Sequence, residues 1–278
     1  MNRKAGGPPP RRAPRRQPPR ESRDFAGPRD AAPKGLGGEQ VEGRNAVREL
    51  LAVGRRRVKT VYVSSTADAA DILDEIRELA GPIVRSVPPE KLSMIARSES
   101  HQGVVALTTP LPTVDLDDLL RDPQAFIVAL DGVTDPGNLG AVLRSAAAFG
   151  ATGAVLPRHR SARITPAVTK AAAGAIEHLP IATVSGIASA LERATRHGVW
   201  SVGLAADGAT DIDDLTVADA PVLIVVGSEG RGLSRLVEQR CDVVARIPIA
   251  ATMESLNASV AAAVACHEIA RRRRANSR

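Results

Sequence analysis

Aromatic residues are scarce in this chain: three Phe, one Tyr and one Trp, 2% of 278 residues. A core must therefore be built from Val, Ile, Leu and Ala, a composition suited to buried parallel strands under close-packed helices. Cysteine is scarcer still. Cys241 and Cys266 are too few for a disulfide framework or a metal-ligand cluster, and read as small buried hydrophobes of a cytoplasmic protein. The His and Cys spacing offers no zinc site, and no metal is expected. No apolar run approaches the roughly 20 residues needed to span a membrane. The basic N-terminus has no apolar segment behind it, so it is not a secretory signal. There is no G-x-x-x-x-G-K-[ST], no G-x-G-x-x-G opening a βαβ unit and no G-x-S-x-G. Their absence excludes a P-loop, a dinucleotide fingerprint and a nucleophile elbow.

What is present is an apolar content of 44%, enough for a real core, and a charge of +6 placed unevenly. Residues 1–38 hold ten Lys/Arg against three Asp/Glu, a charge of +7, which leaves the rest of the chain at −1. This Pro-, Gly- and Arg-rich tail cannot bury enough apolar surface to offset the entropy of ordering, and is expected to be disordered. It reads either as a polyanion-binding arm or as a solubilising extension.

Residues 39–109 read as a small α/β unit. Strands are expected at Val58–Val63, Ile83–Val87 and Gly103–Leu107, with helices at Ala69–Leu79 and Glu90–Ala96. Residues 110–123, with Pro110, Pro112, Pro123 and the acids Asp115, Asp117 and Asp118, read as a linker. From residue 124 to 278 strand and helix patterns alternate. Strands are expected at Phe126–Leu130, Gly153–Leu156, Leu179–Val184, Val199–Leu204, Val222–Val226 and Val243–Ile249. Helices are expected at Leu139–Phe149, Pro166–Ile176, Ile187–Arg196, Leu233–Arg240 and Ser255–Arg272. That alternation implies a mostly parallel sheet with helices on both faces.

Ligands of such sheets bind beyond the carboxyl ends of the strands, and three small polar loops lie there. The first is Asp131 to Arg144, where Asp135-Pro136-Gly137 forms a turn and Asn138 occupies a natural helix N-cap position. Arg144 interrupts an apolar helix and must be paired or face solvent. The second is Gly-Ser-Glu-Gly-Arg-Gly at 227–232, with Glu229 between glycines that let a backbone approach a ligand. The third, Met253 to Ser259, carries Ser255 and Asn257 ahead of an alanine-rich helix that Ser255 is placed to cap. On residue types alone Asn138, Glu229 and Ser255 are either helix-end groups or the polar groups of a strand-end site.

Together these loops resemble, in order and spacing, the three motifs of the SpoU (TrmH-type) branch of the SPOUT RNA methyltransferases. Residues 131–146 resemble the first motif, 226–233 the second and 247–263 the third. In the N-terminal unit, Glu42-Gly-Arg-Asn-Ala-Val47 and His101-Gln-Gly-Val-Val105 resemble the ends of that branch's substrate-binding domain. The likeness spans about residues 39–272 and is nearest to the bacterial enzymes that methylate a guanosine 2′-hydroxyl in the peptidyl-transferase region of 23S rRNA. The basic tail is outside the pattern.

The resemblance implies a trefoil-knotted parallel-sheet methyltransferase domain behind a small substrate-binding domain. It implies S-adenosylmethionine held in the knot near Leu204, Ala205, Gly227, Gly230, Ile247 and Leu256. Asn138, Arg144, Glu229, Ser255 and Asn257 are the implied catalytic set, with Arg144 either base or phosphate clamp; a guanidinium keeps its proton above about pH 12, which makes it an awkward base. It also implies a homodimer whose active site draws on both subunits, for which the small face Ala258, Ala261, Ala262 and Ala265 suits close helix packing. The other readings are a tRNA target, or an RNA-binding assembly factor without catalysis. With so few aromatics, RNA would be held through shape, phosphates and 2′-hydroxyls rather than stacking.

Overall fold

Short runs of Val, Ile and Leu close into two separate sheets in the computed structural model, which describes residues 36–67, 71–159, 163–250 and 252–276. The expected disordered tail lies outside these residues except for Leu36 to Gly38. There Leu36 packs on the larger core and Gly37 bridges Ile164.

The smaller sheet has four strands in the order β1-β4-β2-β3. They are β1 Gln40–Glu42, β2 Val58–Ser64, β3 Val84–Val87 and β4 Val104–Thr108. The β2–β3 pair is parallel and the others antiparallel. Helices α1 (Arg44–Val53) and α2 (Asp71–Ala80) cover one face, burying Val47, Leu50, Leu73 and Ile76. Helix α3 (Pro89–Ile95) covers the other with Leu92. The expected start of α2 at Ala69 lies outside the described residues. Strand β1 and helix α1 went unread, because three residues are too few to show alternation and Arg44, Arg48 and Glu49 break the apolar run.

The larger sheet has seven strands in the order β7-β6-β5-β10-β8-β11-β9. They are β5 Phe126–Asp131, β6 Gly153–Pro157, β7 Ile181–Val184, β8 Trp200–Leu204, β9 Thr210–Asp211, β10 Val222–Gly227 and β11 Val243–Arg246. Every pairing is parallel. Successive side chains alternate between faces. Phe126, Val128 and Leu130 join one core with α5 (Pro136–Ala148), α6 (Pro166–Ala171) and α9 (Ala258–Asn276). Ile127 and Ala129 join the other with α4 (Leu116–Leu120), α7 (Ile187–Arg196) and α8 (Arg235–Arg240). Each fully buried Leu, Ile or Val contributes about 1.5–3 kcal/mol.

Several expectations need correction. The stretch read as a linker holds α4, capped by Asp115 and burying Leu116, Leu119 and Leu120. Its leucines recur at helical spacing, and the prolines and acids masked that pattern. The helix expected over Pro166–Ile176 ends at Ala171, because Ala173 (φ 49°) and Gly174 (φ 83°) adopt left-handed backbone. The strand expected to reach Ile249 ends at Arg246, ahead of Pro248. The alanine face of the last helix is spent inside the chain. Ala258, Ala262 and Ala265 are buried in the core shared with α5, and Ala261 lines a cavity. Val260 and Val264 are the exposed apolar residues of α9.

The two sheets meet through a polar lock. Arg56 and Glu177 form an ion pair whose side chains are 1% and 2% exposed. Arg56 also donates to the carbonyls of Gly38 (2.8 Å) and Thr109 (3.1 Å), and Arg55 to that of Glu177 (3.0 Å). Beside it, His178 pairs with Glu49 at 2.7 Å, an interaction that, with Arg48, lowers the Glu49 carboxyl below its ordinary range.

Burial pushes the Cys241 and Cys266 thiols up to about 12, as inert buried hydrophobes require. Among the described residues no helix is long and apolar enough to cross a membrane.

Candidate active site

The carboxyl ends of β8, β10 and β11 open onto a cavity of about 390 Å³, within the roughly 300–1,000 Å³ usual for small-molecule sites. Its walls include Leu204 and Ala205 after β8, the loop 227–233 after β10, and Ile247, Ser255 and Leu256 after β11. All six residues expected to hold a cofactor line it: Leu204, Ala205, Gly227, Gly230, Ile247 and Leu256. Ala206, Asp207 and Ile249 line it too and were not foreseen. Their only sequence signal is their place just beyond strand ends.

Glycine is compulsory at the centre of this cavity. A Cβ on Gly227 would stand 2.2 Å from the carbonyl carbon of Gly232. The loop folds back on itself there, with Ser228 and Gly232 exchanging backbone hydrogen bonds at 3.0 and 2.9 Å. Gly230 (φ 75°) and Gly232 (φ 65°) take the left-handed backbone that this return needs. The result is a tight backbone cradle, with main-chain groups rather than side chains closest to whatever fills the cavity.

The polar groups converge from three loops. Asn257 Nδ2 donates to Asn138 Oδ1 at 3.1 Å and to Glu229 Oε1. Asn257 Oδ1 in turn accepts from the backbone N–H of Ser259 (2.8 Å) and of Val260 (3.3 Å). So Asn257, not Ser255, caps α9, and its amide orientation is set by that cap. Ser255 lines the cavity instead. Asn138 is not a cap either. The cap of α5 is Asp135, which accepts from Asn138 N–H at 2.7 Å, with Pro136 at the first helical position. Pro at that position asks for the acceptor one residue earlier. Asn138 is thereby left with a free side chain, which it turns to Asn257.

Arg144 lies apart. It is exposed on α5, lines no cavity described here and has no ion-pair or hydrogen-bond partner among the described residues. Facing solvent removes the cost of a cation in an apolar helix. Within one chain Glu229 and Ser255 line the cavity, Asn257 and through it Asn138 are tied to Glu229 at its edge, and Arg144 does not join them.

Comparison with known proteins bears on the same regions. The model of the SpoU rRNA Methylase family matches residues 125–267. The model for RNA 2′-O ribose methyltransferase substrate binding matches residues 40–114. An uncharacterized tRNA/rRNA methyltransferase of Mycolicibacterium vanbaalenii is 43% identical over 244 residues, covering 85% of this chain and 77% of the relative. A TrmH-family tRNA/rRNA methyltransferase candidate of Bacillus subtilis is 38% identical over 241 residues, covering 84% and 96%. Among solved structures, the SpoU methyltransferase AviRb of Streptomyces viridochromogenes, in complex with AdoMet, superposes with a TM-score of 0.72 at 26% identity, covering 85% of this chain and 90% of that one. An AdoMet-bound rRNA methyltransferase of Sinorhizobium meliloti gives 0.70 at 27%, covering 84% and 87%.

Proposed function

The chain belongs to the SpoU rRNA methylase family, and from that premise we propose that it methylates a ribose 2′-hydroxyl of 23S rRNA, at a guanosine of the peptidyl-transferase region. It is an RNA methyltransferase that takes its methyl group from S-adenosylmethionine. The observation that supports the ribose 2′-hydroxyl as acceptor is the pairing of a strand-end cavity with Asn138, Glu229 and Asn257 at its edge, behind a sheet matching the 2′-O-ribose substrate-binding family.

The cradle of Gly227 to Leu233 with Leu204, Ala205, Ile247 and Leu256 fits the methyl donor in size and in its close backbone approach. Bound there, the donor supplies an electrophilic methyl group on a sulfonium. The protein's own work is to present the acceptor. A ribose hydroxyl is a weak nucleophile and must be oriented or relieved of its proton. Asn257, pinned by its cap, holds one oxygen of Glu229 and leaves the other as an acceptor for the incoming hydroxyl. Asn138 is held by the same amide and steadies the opposite side of the mouth.

Arg144 reaches this centre in our reading from a second subunit, where its guanidinium clamps the phosphate beside the target. Its exposure, with no partner among the described residues, and the exposed Val260 and Val264 of α9 support a homodimer. We read the passage in which β10 enters between β5 and β8, and α9 returns onto α5, as the trefoil knot. A small domain at 39–109, a methyltransferase domain at 124–278 to which α4 is added by its packing, a polyanion-binding arm before them and a cytoplasmic setting complete the reading.

The test is methyl transfer from labelled S-adenosylmethionine to a 23S transcript, mapped by resistance to alkaline cleavage. One protected guanosine in the peptidyl-transferase region is expected, and Arg144→Ala is expected to abolish transfer while keeping cofactor affinity. Transfer to tRNA with none to 23S rRNA would overturn the rRNA target.

A further inference from the structure

A second cavity, of about 800 Å³, lies on the other side of the 228–233 loop, at the carboxyl ends of β5, β6, β7 and β10. Ser228, Glu229, Arg231, Gly232 and Leu233 line both cavities and form the wall between them. Asn138 lines the second cavity alone, so the Asn138–Asn257–Glu229 cluster stands at the pass from one to the other.

The lining has three chemical parts. Ile187, Val237 and Val133 form buried apolar walls, and Leu236 stands 52% exposed at the rim. An apolar rim residue of this kind gains from a flat apolar partner laid over it. Asp131 supplies an acceptor: one carboxylate oxygen takes the Ser234 N–H at 2.7 Å, and the other has no hydrogen-bond partner among the described residues. The third part is positive. Arg231 is exposed at the wall, and α7 begins beside the cavity at Gly186 with no side-chain cap. Its first N–H groups and dipole therefore favour an anion.

We infer that this second cavity receives a nucleotide of the RNA substrate, its base against Leu236 and Ile187 with N–H donors turned to Asp131, and its phosphate toward Arg231 and the start of α7. The ribose then crosses the shared wall at Glu229, where its 2′-oxygen meets the methyl donor's cavity. The inference rests on the RNA-methyltransferase reading of the first cavity. It explains how a protein with so few aromatic side chains grips a base: aliphatic walls take the place of stacking rings.

Gly186 provides the test. It lines the second cavity, its backbone (φ −171°, ψ 149°) is one any residue adopts, and a Cβ placed there meets nothing within 4 Å. Gly186→Trp therefore places an indole at the cavity wall with no clash at its Cβ and no backbone strain. The variant is expected to keep the thermal midpoint and S-adenosylmethionine affinity of wild type. Its KM for 23S transcript should rise on the order of tenfold or more, with RNA affinity in filter binding falling in step. A photo-crosslinking side chain at Leu236 should attach to the nucleotide that is methylated. Unchanged KM and RNA affinity in Gly186→Trp would overturn the inference while leaving the methyltransferase reading intact. Loss of RNA binding in Gly186→Trp, in a wild-type protein that transfers no methyl group to any RNA, would support the cavity and sink the reading instead.

Discussion

Glu177 and Glu229 are both carboxylates tied to a partner far along the chain, and they are used in opposite ways. Glu177 is 2% exposed and meets Arg56, whose remaining donors go to backbone carbonyls. That group is buried out of reach of a ligand, and its desolvated charges hold the small sheet against the large one. Glu229 is exposed at the cavity mouth and keeps one oxygen without a hydrogen-bond partner among the described residues. A buried pair loses strongly when one member is removed, whereas an exposed contact contributes little to stability. The comparison separates a group that sets architecture from one that is spared for chemistry.

Breaking the buried side gives the largest stability effect. Glu177→Gln leaves the Arg56 charge unpaired and is expected to cost about 3–5 kcal/mol in urea unfolding. The double change Arg56→Met with Glu177→Leu should recover most of that. An equally destabilised double variant would show that hydrogen bonding to Gly38 and Thr109, not charge, holds the lock. On the exposed side the pattern should invert. Asn257→Ala removes a cap worth about 1 kcal/mol, yet methyl transfer should fall on the order of 100-fold, the scale of a lost positioning or proton-transfer group. A loss of stability with normal turnover would move Glu229 and Asn257 out of the mechanism.

A third carboxylate, Glu268, 7% exposed on the last helix, sharpens the buried side of the comparison. Hydrogen bonds from Arg271 and Arg272 outweigh burial and hold Glu268 at about 2, below its ordinary value of 4.5. A depressed carboxyl contributes stability above its ordinary value, and that contribution disappears as pH falls from about 4.5 to about 2. The stability gap between wild type and Glu268→Gln, about 1.5–3 kcal/mol at neutral pH, should therefore close across that window. A gap that persisted at pH 2 would mean that packing, not charge, is what Glu268 provides.

Much of this was legible before any coordinate. Uninterrupted Val and Ile runs can be buried on both faces only in a covered parallel sheet. The glycines at 227, 230 and 232 marked a place where backbone could approach a ligand, and the six residues that the resemblance implied for the cofactor line one cavity. Local misreadings had local causes. Asn138 was weighed as a cap because Asp135 and Asn138 are both capping types, although Pro136 points to Asp135. The 110–123 stretch was weighed by its prolines, which hid the Leu116–Leu119–Leu120 stripe.

By itself the sequence determined the alternation of strands and helices and the polar loops at the strand ends, because each follows from periodicity or backbone freedom within a few residues; the chemistry of those loops was implied by their resemblance to the SpoU motifs. Only the tertiary structure decided which groups meet. Asn257 finds Glu229 from 28 residues away and Asn138 from 119, and Arg56 finds Glu177 from 121. Loop closure over such spans leaves no local trace in composition or spacing. The second cavity, walled by four separate strand ends, and the exposure of Arg144 away from the other site residues belong to the same class of fact.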